Sequence, residues 1–254
     1  MTIFRTASRL AALALGAALA LSVALQSGVA RAEIKKQFID YKQGDTQLSG
    51  LLVYDDALSG KRPGVLLAHD RAGMADNAFR DSELIAKLGY VVFVADMFGK
   101  GFVPKDVPEM TATITIYNND RPLMRARAAA GFAVLKSNPM VDTARIAVVG
   151  YCFGGTVAVE LTETGIPIVG MISVHGSFRN FSPEAAKSIK GRVLILHGAE
   201  DPVVIPKQAV LMYEALKANS GDVRFWEYAS VHHNAWDKAY ADPDLPRWLL
   251  WTPA

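Results

Sequence analysis

The chain has 254 residues, 27 Lys and Arg against 25 Asp and Glu, 51% apolar residues and one cysteine. That apolar share with balanced charge excludes a disordered polyelectrolyte. No Lys/Arg cluster is available to track a phosphate backbone, which excludes nucleic acid as a partner, and a single cysteine excludes an internal disulfide.

At the N-terminus Arg5 and Arg9 precede an apolar run over 10–25, and the segment ends Val29-Ala30-Arg31-Ala32, a small-x-small cleavage pattern. Residues 1–32 therefore read as a secretory signal peptide. The run is short for a stable transmembrane span, which takes about 20 apolar residues, so a membrane is met only if the signal stays uncleaved. Removing it takes away Arg5, Arg9 and Arg31 and leaves a near-neutral 33–254, a length suited to one domain. The expected location is exported, periplasmic or secreted. A free thiol is a liability in such oxidising compartments, which draws attention to Cys152.

From Glu33 onward β-rich runs alternate with helical stretches. Residues 37–42 and 48–54 flank Gln43-Gly44-Asp45 and read as an antiparallel pair. Residues 65–68 form an apolar strand. The stretch 79–88 has helical spacing, with Leu84, Ile85 and Leu88 on one side, and stops at Gly89 before a buried strand at 91–95. Residues 102–119 read as a loop. A helix is expected over 121–136, a strand at 145–149, a helix at 153–163 and strands at 168–174 and 192–197. A helix at 206–218 and a last strand at 223–228 complete the series. This order predicts an α/β fold with a mostly parallel central sheet, helices on both faces and an antiparallel N-terminal strand pair. Reactive loops in such sheets lie beyond the carboxyl ends of the strands.

The sequence Gly150-Tyr151-Cys152-Phe153-Gly154-Gly155 follows a strand and opens a helix. That is the setting of the strained nucleophile elbow G-x-S-x-G, with sulfur in place of the hydroxyl. A cysteine at a helix head is also placed to favour its thiolate. An acid and a histidine should follow at later strand ends, in that order. Asp201 lies just past the strand ending at His197, with Glu200 as the competing acid. His232 lies just past the last strand, with His233 as its neighbour and rival; His232 is the histidine selected. Backbone donors for an oxyanion fall at Phe153 and, in the loop after the first parallel strand, at Arg71. The spacing of His69, His175 and His197 does not suggest a metal site.

These residues resemble the dienelactone hydrolase (carboxymethylenebutenolidase-like) family of α/β-hydrolases. The resemblance rests on Val149-Gly150-Tyr151-Cys152-Phe153-Gly154-Gly155, on His197-Gly198-Ala199-Glu200-Asp201-Pro202-Val203-Val204, on residues 228–232 and on Val94-Ala95-Asp96-Met97-Phe98-Gly99-Lys100-Gly101. It implies hydrolysis of a small-molecule carboxylic ester or lactone by Cys152, with His232 as acid/base, Asp201 orienting it, and no cofactor. The family's resting cysteine is contacted by a carboxylate whose place Asp70 takes. Its two substrate-gripping arginines correspond to Lys100 and Trp236, neither of which offers the bidentate guanidinium fork. The alternative is a catalytically impaired binding protein of the cell envelope that keeps the fold. Oligomeric state is left open by the sequence.

Overall fold

A computed structural model describes residues 33–178, 183–219 and 221–242, together with Leu245 and Trp248. The signal segment expected at 1–32 lies outside the described residues. The chain opens with β1 (Ile34–Gln43) and β2 (Thr46–Asp55), paired antiparallel along their whole length from Ile34↔Asp55 to Gln43↔Thr46. Gly44 makes the connection, taking the positive φ of 55° that such a turn needs.

The alternating part follows: β3 (Arg62–Ala68), α1 (Asp76–Ala86), β4 (Val91–Ala95), α2 (Val107–Asn119), α3 (Arg121–Ser137) and β5 (Val141–Tyr151). After these come α4 (Phe153–Thr162), β6 (Gly170–Val174), a short 3-10 turn at Ala185–Ser188, β7 (Arg192–Gly198), α5 (Lys207–Ala218), β8 (Val223–Tyr228) and α6 (Ala235–Ala241). The sheet order is β1-β2-β4-β3-β5-β6-β7-β8. β2 joins β4 antiparallel, and the pairs from β4 to β8 are parallel.

Strands buried on both faces serve two cores at once, and the period-2 alternation of side chains divides their residues between them. Leu66 and Ala68 of β3, with Phe93 and Ala95 of β4, face a layer built from Met124, Phe132 and Leu135 of α3 and Leu161 of α4. Val65, Leu67, Val92 and Val94 face the opposite layer, where Ile85 and Ala86 of α1 meet Ala235 and Ala239 of α6. Each fully buried Val, Leu or Phe contributes roughly 1.5–3 kcal/mol by leaving water, so shifting any central strand by one residue would forfeit both layers.

Helix α3 is also pinned to α4 by charge. Arg121 and Arg125 bind Glu160 at 3.2 and 2.8 Å, and Arg125 reaches Glu163 at 3.3 Å. Trp248, from the C-terminal stretch, is buried against the α6 side with the Arg192 guanidinium 5.0 Å from its ring centre.

The 102–119 stretch departs from expectation: most of it is α2. Its β-branched run Thr113-Ile114-Thr115-Ile116 disguises the helix, yet Asp106 caps it by accepting from the Glu109 N–H at 2.8 Å, and Pro108 sits in the first turn. The Glu109 carboxylate accepts in turn from the Lys105 N–H at 2.6 Å. The hydroxyls of Thr111, Thr113 and Thr115 each donate to the carbonyl four residues back, so their polarity is absorbed within the helix.

Candidate active site

The elbow forms because its residues can approach closer than side chains allow. A Cβ at Gly150 would lie 1.9 Å from the Gly154 carbonyl oxygen, and one at Gly154 would lie 2.0 Å from that of Ala68. With those clashes absent, β5 turns directly into α4, and Cys152 adopts φ 53° and ψ −113°, a strained conformation for a residue with a side chain. The strain is held by the Cys152 N–H, which donates to the Val174 carbonyl at 3.0 Å.

Beneath the elbow, Phe153 packs with Phe98 and Tyr117, ring centres 5.6 and 5.8 Å away, so α2 and the loop after β4 brace the turn. His69 belongs to this layer as a structural residue. Its Nδ1 pairs with the Asp70 carbonyl at 2.8 Å and its Nε2 accepts from the Met97 N–H at 3.2 Å.

Cys152 is partly buried at the floor of a cleft of about 440 Å³, within the size range of small-molecule sites. Arg71, Phe153 and Thr156 share the floor, and Ile114, Thr115 and Asn118 of α2 form a wall. Burial pushes the Cys152 thiol up to about 11, against opposing help from the Phe153 N–H and the Arg71 charge. The thiolate expected from the helix head is therefore not the resting form. Desolvation outweighs the helix terminus.

Asp201 is buried at the end of β7, with Oδ1 accepting from the N–H groups of Val203 at 2.8 Å and Val204 at 3.0 Å. Its Oδ2 lies 2.8 Å from Nδ1 of His233, not His232. Here the sequence reading is corrected. After β8 the chain turns through Ser230 at φ 55°, buries Val231, exposes His232 and directs His233 inward. The Nδ1 of His232 pairs with the Glu200 carbonyl at 2.8 Å, away from the acid. The two loops are stitched by Ala199 N–H to Tyr228 O and Glu200 N–H to Val231 O, both 3.0 Å. Gly198 permits this approach, since a Cβ there would lie 2.0 Å from the His232 carbonyl oxygen.

A second histidine enters the site unanticipated. Ligating atoms of Cys152, His175 and His233 all lie within 4.8 Å of one another. His175 follows β6 at φ 41°, donates its N–H to the Leu196 carbonyl at 2.8 Å, and lays its ring 4.1 Å from that of His233. Burial, then the nearby His233 and His197, hold it well below the usual histidine range.

The remaining expected residues fall elsewhere. Among the described residues Asp70 makes no hydrogen bond to the thiol, though its charge acts on it; its carboxylate accepts from the Ala72 N–H at 2.8 Å and from Asn77 at 3.2 Å, the reach of a short side chain that caps its own loop. Lys100 is exposed and paired with Asp40 of β1 at 2.5 Å, outside the cleft lining. Trp236 packs edge-on against His175 at 5.1 Å and lies near His233 at 6.3 Å, so it supports the histidine pair and is absent from the cleft lining.

Comparison with known proteins agrees with this architecture. No curated protein matches the chain. The profile of the dienelactone hydrolase family matches residues 48–242. Among solved structures, one named "m3DLH" is 34% identical with TM-score 0.74, covering 78% of this chain and 82% of its own. A dienelactone hydrolase-like promiscuous phosphotriesterase from metagenomic libraries is 30% identical with TM-score 0.75, covering 83% and 89%. A putative dienelactone hydrolase from Klebsiella pneumoniae subsp. pneumoniae, 16% identical with TM-score 0.70 over 85% and 95%, shares the fold. With its fold, its elbow and a family match across most of its length, this chain belongs to the dienelactone hydrolase family of hydrolases.

Proposed function

We propose that the protein is an exported hydrolase of small carboxylic esters or lactones that uses Cys152 as nucleophile, His233 as acid and base, and Asp201 to orient His233. The observation that carries this reading is the 2.8 Å contact from Asp201 to His233 Nδ1 beside a cysteine on a strained elbow. A carboxylate can only accept, so Nδ1 carries the proton and Nε2 is left as the base.

Ionising a thiol near 11 at pH 7 costs about 5 kcal/mol, so proton transfer to His233 accompanies attack. Sulfur adds to the carbonyl carbon, and the resulting oxyanion is taken by the backbone N–H groups of Phe153 and Arg71. His233 then passes the proton to the departing alkoxide, leaving a thioester on Cys152. Water, deprotonated by His233, cleaves the thioester and restores the thiol. Of the two arginines that line the cleft, Arg121 is paired with Glu160 at 3.2 Å and Arg71 is left to meet a substrate, so a neutral or singly anionic ester fits better than one needing two unpaired guanidinium groups.

The test is turnover of an aryl ester and lactone panel by wild type, Cys152→Ala, His233→Ala and His232→Ala. Cys152→Ala and His233→Ala should lose about 10²–10⁴-fold or more, while His232→Ala stays within a few-fold. Equal losses for the two histidine variants would overturn the assignment. Phosphotriesters belong in the panel because a 30% identical relative is described as acting on them. Failure to turn over any substrate would favour the binding-protein alternative.

A further inference from the structure

We propose that Cys152 Sγ, a ring nitrogen of His175 and Nε2 of His233 form a site for a zinc-class divalent cation, which caps the nucleophile and silences it reversibly. Three features point to the site, and the silencing of Cys152 rests on the hydrolase reading above.

The first is the donor set. One thiol sulfur and two imidazoles suit borderline to soft cations such as Zn²⁺ and disfavour Ca²⁺ or Mg²⁺, which seek oxygen. The three donors lie within 4.8 Å of one another. Zinc takes sulfur at about 2.3 Å and imidazole at about 2.0–2.1 Å, so ligands of one tetrahedral ion stand about 3.3–3.6 Å apart. The widest pair must close by at most about 1.2–1.5 Å, a movement open to the quarter-exposed His233 ring.

The second is His175. Its side chain is buried, and its Nδ1 has no hydrogen-bond partner among the described residues. An unpaired buried polar atom costs about 1–3 kcal/mol, and the ester mechanism gives His175 no proton to carry.

The third is outer support. Asp201 binds the far nitrogen of His233 at 2.8 Å and is itself fixed by two backbone N–H groups. This is the carboxylate–histidine arrangement that orients ligands in metal centres. A fourth ligand is left to water. Binding exchanges the S–H bond of Cys152 for an S–Zn bond, with the proton passing to bulk solvent. No electron is transferred.

Calorimetric titration of the metal-free full chain with Zn²⁺ should give one site. Cys152→Ser, His175→Asn and His233→Gln should each weaken it at least about 10-fold, the lower bound for losing even an outer-shell partner. Asparagine is chosen at 175 because it tolerates positive φ, and His232→Gln should leave the affinity unchanged. Replacement by Co²⁺ should give thiolate-to-metal charge-transfer absorption that Cys152→Ser removes. Absence of that band, absence of binding below about 1 mM, or binding that survives both Cys152→Ser and His175→Asn overturns the proposal. The cobalt spectrum of the wild-type protein decides even if a variant fails to fold. Neither readout involves turnover, so failure here and failure of the hydrolase reading are separable.

Discussion

Replacing Asp201 by Asn isolates what the acid does for its histidine. Oδ1 of the carboxylate accepts from Val203 and Val204 at 2.8 and 3.0 Å, and an asparagine oxygen can keep both bonds. The amide nitrogen then falls where Oδ2 met His233 Nδ1 at 2.8 Å. An amide N–H donates, so Nδ1 must accept, and the imidazole proton moves to Nε2. The nitrogen facing Cys152 thereby changes from base to donor.

The bonds to an ionised carboxylate become neutral ones, a loss of about 1–2 kcal/mol, or about 2–8 °C in melting temperature for a domain of this size. The tautomer change is far costlier to activity: kcat/KM on an aryl ester should fall about 10⁴-fold, the size known for such a swap in a serine-protease triad. Melting curves and steady-state kinetics on one preparation check both. A folded Asp201→Asn protein that keeps kcat/KM within tenfold of wild type would refute the reasoning.

Other expectations follow from individual groups. Because the thiol is raised to about 11, alkylation of Cys152 by iodoacetamide should quicken with each unit of pH from 7 to 10; a plateau below pH 8 would show a resting thiolate. Gly154→Ala should cut soluble yield and lower the melting temperature sharply, because its Cβ would sit 2.0 Å from the Ala68 carbonyl. Glu163 is pushed up to about 7 by burial and by Glu160, from an ordinary 4.5. Its folded value exceeds its unfolded one, so its contribution to stability is full below about pH 4.5 and is lost as pH rises through about 7. Denaturant titration should show Glu163→Gln more stable than wild type at pH 8.5 by about 1–2 kcal/mol, after allowance for solvent screening, with the gap closing toward pH 5.

Elements dominated by local pattern were legible in the chain. Apolar runs at 65–68 and 91–95 cannot be satisfied except between two helical layers, and the sheet places them there. The elbow was legible because Gly150 and Gly154 are a steric requirement of a strand turning directly into a helix. Helix α2 escaped because its β-branched centre outweighed a cap visible at Asp106, Pro108 and Glu109. The family resemblance puts Lys100 and Trp236 at substrate-gripping places, but their side chains are claimed by Asp40 and by the histidine pair.

The sequence by itself determined the fold, the glycine-built elbow and the presence of an acid and a histidine at the ends of the last two strands, because periodicity and glycine sterics act over a few residues. Tertiary structure alone decided that His233 meets Asp201 while His232 faces away, since the choice depends on the register in which the two loops are stitched past Gly198. It alone brought His175 to Cys152 from the end of a neighbouring strand. It also decided the state of the thiol, because desolvation is a property of the surrounding packing and no short motif encodes it.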